Sequence, residues 1–413
     1  MSRACLSSRE VELMSPPMPS STLPTPDPRL IDAQADLEAF CARLHEADYV
    51  TVDTEFMRDS TYWPQLCLIQ LADAQTACAV DALAPGLDLA PIWQLLAAPV
   101  PKVMHAARQD IEIFFHRGGV IPEPLLDTQV GAMVCGFGDQ AAYDTLVNHF
   151  AGRRLDKHAR FADWARRPLP ARQIDYALAD VIWLRAVYEG LAAELRRNGR
   201  ADWVEEEEAV LLNPNTYRLD PEHAWKRLKI RSADPAFLAV VRAIAAWREH
   251  EAQRLDLPRS RVLRDDALLD VAAQMPADVD ALAQCRGVTR GMAAGRLGPG
   301  LLAAVAEGRA VPPEERPQPA PQRERPKGVG PAMELLRVLL KARVEHEGVA
   351  QKLVASSEDL EDLAGGAEDG PLLRGWRREL FGVDAQRLLR GELALTLKRG
   401  RVKVCQTATD FRP

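Results

Sequence analysis

The alternation of hydrophobic and polar residues divides the chain into one region of mixed strands and helices and two regions with helical periodicity alone. Three short β-branched or apolar runs at hairpin-like spacing predict a strand meander: residues 49–53, 66–71 and 77–81. A helical stripe begins at Ile92, and residues 102–105 predict a short strand that leads into a helix through Phe115. Strands followed by alternating helices and strands indicate a mixed α/β sheet.

Further along the chain only the 3.6-residue period remains. Apolar residues recur at helical spacing within 237–245 and again within 335–340. These two regions therefore predict two small all-α helical domains after the α/β domain.

Stretches rich in proline or charge separate these regions. Residues 15–28 contain six prolines, which predicts a disordered leader over 1–29. Residues 309–327 contain six prolines and five basic residues, which predicts a solvated linker over 309–328. A softer boundary is expected at 205–222, where four consecutive glutamates interrupt the helical pattern. The predicted folded regions are residues 30–204, 223–308 and 329–395, followed by a tail over 396–413.

Composition narrows the class of protein. The chain has 413 residues, of which 47% are hydrophobic and 27% charged, an ordinary globular mixture. No apolar run approaches the ~20 residues that cross a bilayer, and the first twenty residues lack the apolar core of a secretory signal. The seven cysteines form no CxxC pair, which argues against a zinc knuckle or a disulfide framework and fits a reducing cytoplasm. Because the net charge is −7, nucleic-acid contacts would have to come from local basic patches or bound metal ions.

Acidic residues at three places could carry chemistry. Asp53 and Glu55 end a strand and share a face, Asp110 follows the next strand, and Asp180 lies one helical turn after Tyr176. Each place also has an explanation without chemistry. Acids are common at strand ends, an acid at a helix N-terminus is favoured by the helix dipole, and Asp180 could be a solvated acid beside a core tyrosine. Together, four acids on three elements could hold two Mg²⁺ or Mn²⁺ ions ~3.5–4 Å apart, which is an arrangement for phosphodiester cleavage.

The motifs DTEF, HAARQD and DYALAD resemble the three exonuclease motifs of the DEDD superfamily, and the tyrosine four residues before the last acid resembles its DEDDy subgroup. The segments DTEFMRDSTYWPQLCLIQLA, PLLDTQVGAMVCGFG, LDKHARFADWARRPL and QIDYALADVIWL are similar to the ribonuclease D family over about residues 30–200. Residues 232–309 resemble the helicase-and-RNase-D C-terminal (HRDC) domain, and the third region resembles the second helical domain of the same family.

This resemblance implies a ribonuclease-H-like fold with a sheet of mixed direction, and 3′→5′ hydrolysis of RNA that releases nucleoside 5′-monophosphates. It implies that Asp53, Glu55, Asp110 and Asp180 bind two divalent metal ions and that Tyr176 orients the attacking water. A tyrosine of pKa ~10 is a poor general base, which agrees with such a positioning role. The implied substrates are tRNA precursors and other structured RNAs. We expect no small-molecule organic cofactor, no membrane partner and a monomer.

Substrate contacts are predicted at four further residues: His105, Lys157, Arg259 and Arg261. His105 could instead shape the strand–helix turn, and Lys157 could be a solvated surface lysine. Residues 223–264 hold ten basic against four acidic residues, which could track an RNA backbone or could be ordinary solvated helix faces. Two alternative functions remain open from the sequence: a DNA-directed 3′→5′ exonuclease, and a non-catalytic RNA-binding protein.

Overall fold

A computed structural model describes residues 28–156, 162–318 and 326–407, and within it the first region forms a six-stranded sheet flanked by helices. The strands are β1 (Pro28–Ile31), β2 (Val50–Met57), β3 (Gln65–Ala72), β4 (Ala77–Asp81), β5 (Lys102–Met104) and β6 (Leu125–Asp127). The helices are α1 (Gln34–Leu44), α2 (Ala90–Ala97), α3 (Arg108–Gly118), α4 (Thr128–Val134), α5 (Tyr143–Ala151), α6 (Ala171–Ile182), α7 (Leu184–Asn198) and α8 (Ala201–Leu212).

The sheet has the strand order β1-β4-β3-β2-β5-β6 and mixed directions. The predicted meander is confirmed, because β3 is antiparallel to both β2 and β4. The remaining neighbours pair in parallel. Strand β2 pairs with β5 only at Val50 and Thr51, so the sheet opens along the rest of β2. Asp53 and Glu55 lie in this part of β2.

Two apolar layers cover the two faces of this sheet. On one face, α1, α2 and α3 bury Leu37, Ile92 and Phe114 against the strands. On the other face, α6 buries Leu178 and Val181. From Leu68 onward the apolar side chains of β3 alternate between the two layers, as the two-residue period of a strand requires, whereas Cys67 and Leu68 both lie in the layer with α6.

The second region is helical and packs around one long helix. Its helices are α9 (Pro235–Leu255), α10 (Arg259–Val262), α11 (Asp265–Gln274), α12 (Val279–Leu282), α13 (Arg290–Ala293) and α14 (Gly298–Ala310). It contacts the first region at the loop after β2, where the backbone N–H groups of Tyr62 and Trp63 each donate to the Asp256 carboxylate over 3.0 Å.

The third region consists of helices and a C-terminal hairpin. The elements are α15 (Gly330–Glu347), α16 (Gln351–Val354), α17 (Ser357–Ala364), α18 (Gly375–Arg377), α19 (Val383–Leu389), β7 (Leu393–Lys398) and β8 (Arg401–Gln406). The prediction of a tail from residue 396 is wrong for the described residues up to 407, because β7 and β8 pair in antiparallel fashion. Arg399 and Gly400 both adopt positive φ, the geometry of a two-residue hairpin turn.

Three other predicted boundaries differ from the structure. The four glutamates at 205–208 lie inside α8 and do not interrupt it, because glutamate favours helix and Glu208 is buried. Most of the predicted leader, residues 1–27, lies outside the described residues, and its last two residues belong to β1. The predicted linker begins inside α14 and includes a 3₁₀ turn at Pro313–Glu315, while residues 319–325 are not described. In the described part of the chain, no helix is both long and apolar enough to span a membrane.

Candidate active site

Asp53 and Glu55 lie on β2, on the face that meets α6. Their neighbour on the same face, Thr51, donates a hydrogen bond to the carbonyl oxygen of Val181 in α6 over 3.0 Å. The pairing of β2 with β3 shifts register directly after Glu55, because Cys67 of β3 has no partner on β2 and forms a bulge in β3. Both acids thus sit beyond the part of β2 that pairs with β5 and just before this bulge in the neighbouring strand.

Asp110 approaches from the opposite face of the sheet. It lies in the first turn of α3, is only 6% exposed, and accepts a hydrogen bond from the hydroxyl of Thr54. Because Thr54 stands between Asp53 and Glu55 in the strand, its side chain faces the other way. Thr54 therefore ties the third acid to the strand that carries the first two.

A buried carboxylate holds the turn that precedes α3. The two oxygens of Asp127 accept the backbone N–H groups of Ala106 and Ala107, each at 2.9 Å, and one also accepts the Gln129 N–H at 2.8 Å as the cap of α4. Ala106 has a φ of +55°, a left-handed conformation that costs about 1–2 kcal/mol for a residue with a Cβ. These hydrogen bonds compensate for that strain and fix where α3 begins.

The fourth acid and the tyrosine come from α6. Tyr176 and Asp180 lie one turn apart on this helix and line the same cavity. Tyr143, at the start of α5, donates its hydroxyl to the carbonyl oxygens of Ala179 and Asp180, at 3.1 and 2.9 Å. Tyr143 thereby anchors the C-terminal end of α6 beside the acid.

The cavity has a volume of about 500 Å³ and opens between β2, α5 and α6. Four of its lining residues are acids: Asp53, Asp144, Asp156 and Asp180. His105, Tyr143 and Tyr176 also line it, whereas Glu55 and Asp110 are not among its lining residues. Among the residues that the structure describes, no lysine or arginine lines this cavity.

The pKa values of all four predicted acids are raised, and the charges of the other acids contribute for Asp53 and Glu55. Burial, followed by the charges of Asp110, Asp180 and Glu55, raises the pKa of Asp53 well above its usual value. Burial and the charges of Asp180 and Asp110 raise the pKa of Glu55 to about 9. Burial raises the pKa values of Asp110 and Asp180 to about 7 each. The structure therefore brings all four acids into one electrostatic cluster.

This cluster has the chemistry of a site for hard divalent cations. All the candidate metal-ligand atoms of the cluster are carboxylate oxygens, the ligands that Mg²⁺ prefers. A cation between the carboxylates would offset their repulsion. Within residues 28–156, 162–318 and 326–407, however, no three His, Cys, Asp or Glu side chains are already arranged closely enough to hold an ion. The residues fit a divalent metal by type and charge, without a preformed ligand cage.

His105 lines the same cavity and is held by a defined hydrogen bond. Its Nδ1 lies 3.0 Å from the hydroxyl of Thr128, which donates its own proton to the carbonyl oxygen of Met104. The Thr128 oxygen must therefore accept from Nδ1–H, which assigns the unprotonated nitrogen to Nε2. Burial lowers the pKa of His105, although Asp127 acts in the opposite direction, so the ring is neutral at pH 7.

The other three predicted substrate contacts lie elsewhere. Lys157 lies outside the described residues. Arg259 lies between the first and second regions. Its guanidinium stacks on the ring of Tyr62 and donates two hydrogen bonds to the buried carboxylate of Glu249. Arg261 is exposed and forms no ion pair within the described part of the chain.

Sequence reasoning missed Thr54, Tyr143 and the hydrogen bonds by which Asp127 holds the turn before α3. Thr54 lies within the DTEF motif. The sequence pattern does not indicate that a residue on the opposite face of the strand donates a hydrogen bond to Asp110. Tyr143 acts 36 and 37 residues away from its acceptors, so no local signal could have found it.

Known proteins are similar to this chain over most of its length. Residues 28–196 match a family model described as 3′-5′ exonuclease, and residues 237–305 match the HRDC domain. Ribonuclease D of Granulibacter bethesdensis is 54% identical over 385 residues, covering 92% of this chain and 98% of that protein. Ribonuclease D of Acidiphilium cryptum is 52% identical over 387 residues, covering 92% and 97%.

Among solved structures, Escherichia coli RNase D, described as an exoribonuclease involved in structured RNA processing, matches with a TM-score of 0.75 at 29% identity. That match covers 88% of this chain and 99% of the other. The mixed sheet followed by a helical region agrees with it. The resemblances that the motifs predicted for the exonuclease and HRDC regions are confirmed.

Proposed function

Because this chain belongs to the ribonuclease D family of exoribonucleases, we propose that it removes nucleotides from the 3′ end of RNA with two divalent metal ions. The products are nucleoside 5′-monophosphates and an RNA shortened by one residue. Its substrates are tRNA precursors with extra 3′ residues and other structured RNAs. The similarity to an RNase D described as acting in structured RNA processing supports this substrate class.

The acidic cavity is the observation that carries the metal dependence. A phosphodiester that enters it meets Asp53 and Asp180 and, among the described residues, no basic side chain. Such a group would be repelled unless cations were bound, so the site needs Mg²⁺ or Mn²⁺ to accept its substrate. Asp53, Glu55, Asp110 and Asp180 would hold the ions, which supply an activated water and neutralise charge on the departing 3′ oxygen.

The remaining residues orient the reactants. The hydroxyl of Tyr176, one turn from Asp180, positions the water whose oxygen attacks phosphorus while the bond to the 3′ oxygen breaks. His105, neutral and with Nε2 unprotonated, accepts a hydrogen bond from a ribose hydroxyl at the same cavity. In both roles the side chain positions a reactant and transfers no proton. This agrees with the high usual pKa of tyrosine and with the lowered pKa of His105.

Labelled RNA tests this function. We expect stepwise loss of 3′ nucleotides in Mg²⁺ or Mn²⁺, loss of activity with chelator, and a drop in kcat of at least about 10³-fold in Asp53→Asn. Asp32→Asn is the matched control, because Asp32 is exposed and lies outside the cluster. A tRNA transcript with a 3′ extension should be trimmed to its mature end.

Single-stranded DNA is the necessary comparison substrate, because carboxylates do not read a 2′-hydroxyl. If DNA were degraded faster than RNA of the same sequence, the DNA-directed alternative would replace this proposal. Hydrolysis that survives complete metal removal would refute the metal-dependent part.

A further inference from the structure

A second, smaller cleft lies where the exonuclease domain meets the HRDC region. It has a volume of about 180 Å³ and contains four arginines: Arg58, Arg108, Arg227 and Arg259. Arg58 directly follows β2, Arg108 begins α3, Arg227 ends the 3₁₀ segment Pro221–Arg227, and Arg259 begins α10. Four separate elements from both domains thus bring guanidinium groups to one place.

The carboxylates nearby neutralise only half of this charge. Arg58 forms a bidentate pair with Glu112 at 2.8 and 3.0 Å. Arg259 pairs with Glu249, whose pKa is lowered despite burial because Arg259 and Tyr62 donate hydrogen bonds to it. Four arginines against two acids leave a formal excess of two positive charges.

Arg108 and Arg227 carry this excess. Within the described residues neither forms a hydrogen bond or an ion pair, and both side chains are exposed. Arg227 contributes to the lowered pKa of Glu249, and Arg108 opposes the burial that raises the pKa of Tyr217 to about 12, so both charges act at the walls of the cleft. An arginine fork without a carboxylate partner, facing a cleft, is suited to a phosphate group.

The size of the cleft limits what it can bind. At about 30 Å³ per water, 180 Å³ accommodates about six waters, enough for one phosphate group with part of its hydration. It is smaller than the ~300–1,000 Å³ of usual small-molecule pockets, so a whole nucleotide does not fit. The walls offer no exposed aromatic platform for a base, since Tyr62 and Tyr217 are 6% and 3% exposed.

The cleft is close in the chain to the catalytic acids. Arg58 comes three residues after Glu55, about 10 Å along an extended strand, and Arg108 comes two residues before Asp110 on the same helix. At an enzyme that removes 3′ nucleotides, all of the substrate beyond the leaving nucleotide lies on the 5′ side of the cleaved bond. A backbone phosphate a short distance from the active site therefore belongs to that 5′ part.

We propose that this arginine cleft binds an internal phosphodiester of the RNA, a few nucleotides to the 5′ side of the cleaved bond. The proposal rests on the proposed function for the direction of the RNA. The cleft would hold the strand in place between rounds of hydrolysis and make activity depend on substrate length, without reading sequence.

The test compares Arg108→Ala/Arg227→Ala with wild type on a dinucleotide and on a single-stranded RNA of about twelve nucleotides. On the longer RNA we expect kcat/KM to fall about tenfold, through KM, while dinucleotide hydrolysis changes less than about twofold. In binding measured with chelator present, the slope of log K against log salt should decrease by about 0.7 for the lost phosphate contact. Arg309→Ala, an exposed arginine at the end of α14, is the control and should leave both substrates unaffected.

Arg108→Lys/Arg227→Lys should restore part of the affinity, because charge returns without the bidentate fork. An equal loss on both substrates, or no loss on the longer RNA, would overturn the proposal. If inorganic phosphate binds wild type but RNA affinity is the same in the double variant, the cleft is a site for a free anion and the RNA assignment is wrong. If the protein hydrolyses neither substrate, the proposed function fails, and the binding experiment still decides the cleft.

Discussion

The hydroxyl of Tyr143 donates a hydrogen bond to the backbone carbonyl of Asp180 over 2.9 Å, and the same hydroxyl lies 3.1 Å from the carbonyl of Ala179. These carbonyls belong to the last turn of α6, where the Ala179 carbonyl also accepts the backbone N–H of Trp183. Burial, followed by the charges of Asp180 and Asp53, raises the pKa of Tyr143 far above its usual value, so the hydroxyl keeps its proton. A tyrosine from α5 thus fixes the backbone at one of the four predicted acids.

Tyr143→Phe should therefore affect both stability and rate. Removing the hydroxyl takes away the donor to the Asp180 carbonyl, at a cost of about 1–2 kcal/mol in the free energy of unfolding, whereas the Ala179 carbonyl keeps the backbone N–H of Trp183. We expect kcat to fall about tenfold with little change in KM, because Asp180 loses its fixed position. Tyr188→Phe is the control, since its hydroxyl makes no hydrogen bond in the part of the chain that is described. Equal behaviour of the two variants would contradict the anchoring role.

The clustered acids predict how stability depends on pH without metal. The pKa values of about 7 for Asp110 and Asp180 and about 9 for Glu55 lie above those of the unfolded chain, near 4, so the folded form binds more protons. Stability from these groups is present below pH 4 and is lost as pH rises through 7 to 9. We expect the thermal midpoint in chelator to fall by several degrees from pH 6 to pH 9.

The thermal midpoint of Asp180→Asn, measured in chelator over the same pH range, tests this explanation. With one charge removed, the decrease between pH 6 and pH 9 should become smaller, even though hydrolysis is abolished. Adding Mg²⁺ to wild type at pH 9 should restore the midpoint. An unchanged pH dependence in the variant would show that the acids do not repel one another in the folded protein.

Metal binding should release protons for the same reason. The acids must be ionised to act as ligands, so apparent Mg²⁺ affinity should rise with pH between about 6 and 9. Titration calorimetry at pH 7 in two buffers of different ionisation enthalpy counts the protons, and we expect about one or more per protein. Zero released protons would contradict the raised pKa values.

The third region approaches the exonuclease domain too closely for a side chain at Gly136. This residue has a φ of +81°, and a Cβ there would lie 2.5 Å from the carbonyl oxygen of Gly348. Gly138 has a φ of +96° but would place its Cβ in open space. Gly136→Ala should therefore separate the third region, seen as faster limited proteolysis, whereas Gly138→Ala costs only about 1–2 kcal/mol of backbone strain. Identical proteolysis patterns would contradict the close contact.

Arg259 and Arg261 should respond differently to charge reversal. Arg259→Glu would place a carboxylate next to the buried Glu249, which would also lose its partner. We expect this change to destabilise the contact between the domains by about 3 kcal/mol or more. Arg261→Glu removes only an exposed charge and should weaken RNA binding in a salt-dependent way with no change in thermal midpoint. A stable Arg259→Glu protein would show that the contact with Glu249 does not hold the domains together.

The four acids that the structure brings into one cluster were available as candidates from the chain itself. Asp53 and Glu55 share a strand face, and Tyr176 and Asp180 share a helix face, because strand and helix geometry act over two to four residues. The mixed sheet and the helical character of the later regions follow from equally local periods. Even the hairpin at the C-terminus had a local signal, since Leu393, Leu395 and Leu397 recur at the two-residue period of a strand before the turn.

Only the tertiary structure decided how those acids are held and what surrounds them. Thr54 meets Asp110 across 56 residues, Asp127 organises a turn about 20 residues away, and Glu208 in α8 accepts the backbone N–H of Asp127 across 81 residues. The arginine cleft combines four elements from two domains. Arg58 and Arg108 lie next to the predicted exonuclease motifs, but the sequence does not indicate that they share a cleft with Arg227 and Arg259. Local sequence determines the direction of a side chain on its own element, but a site depends on contacts between distant elements, which exist only after the chain has packed.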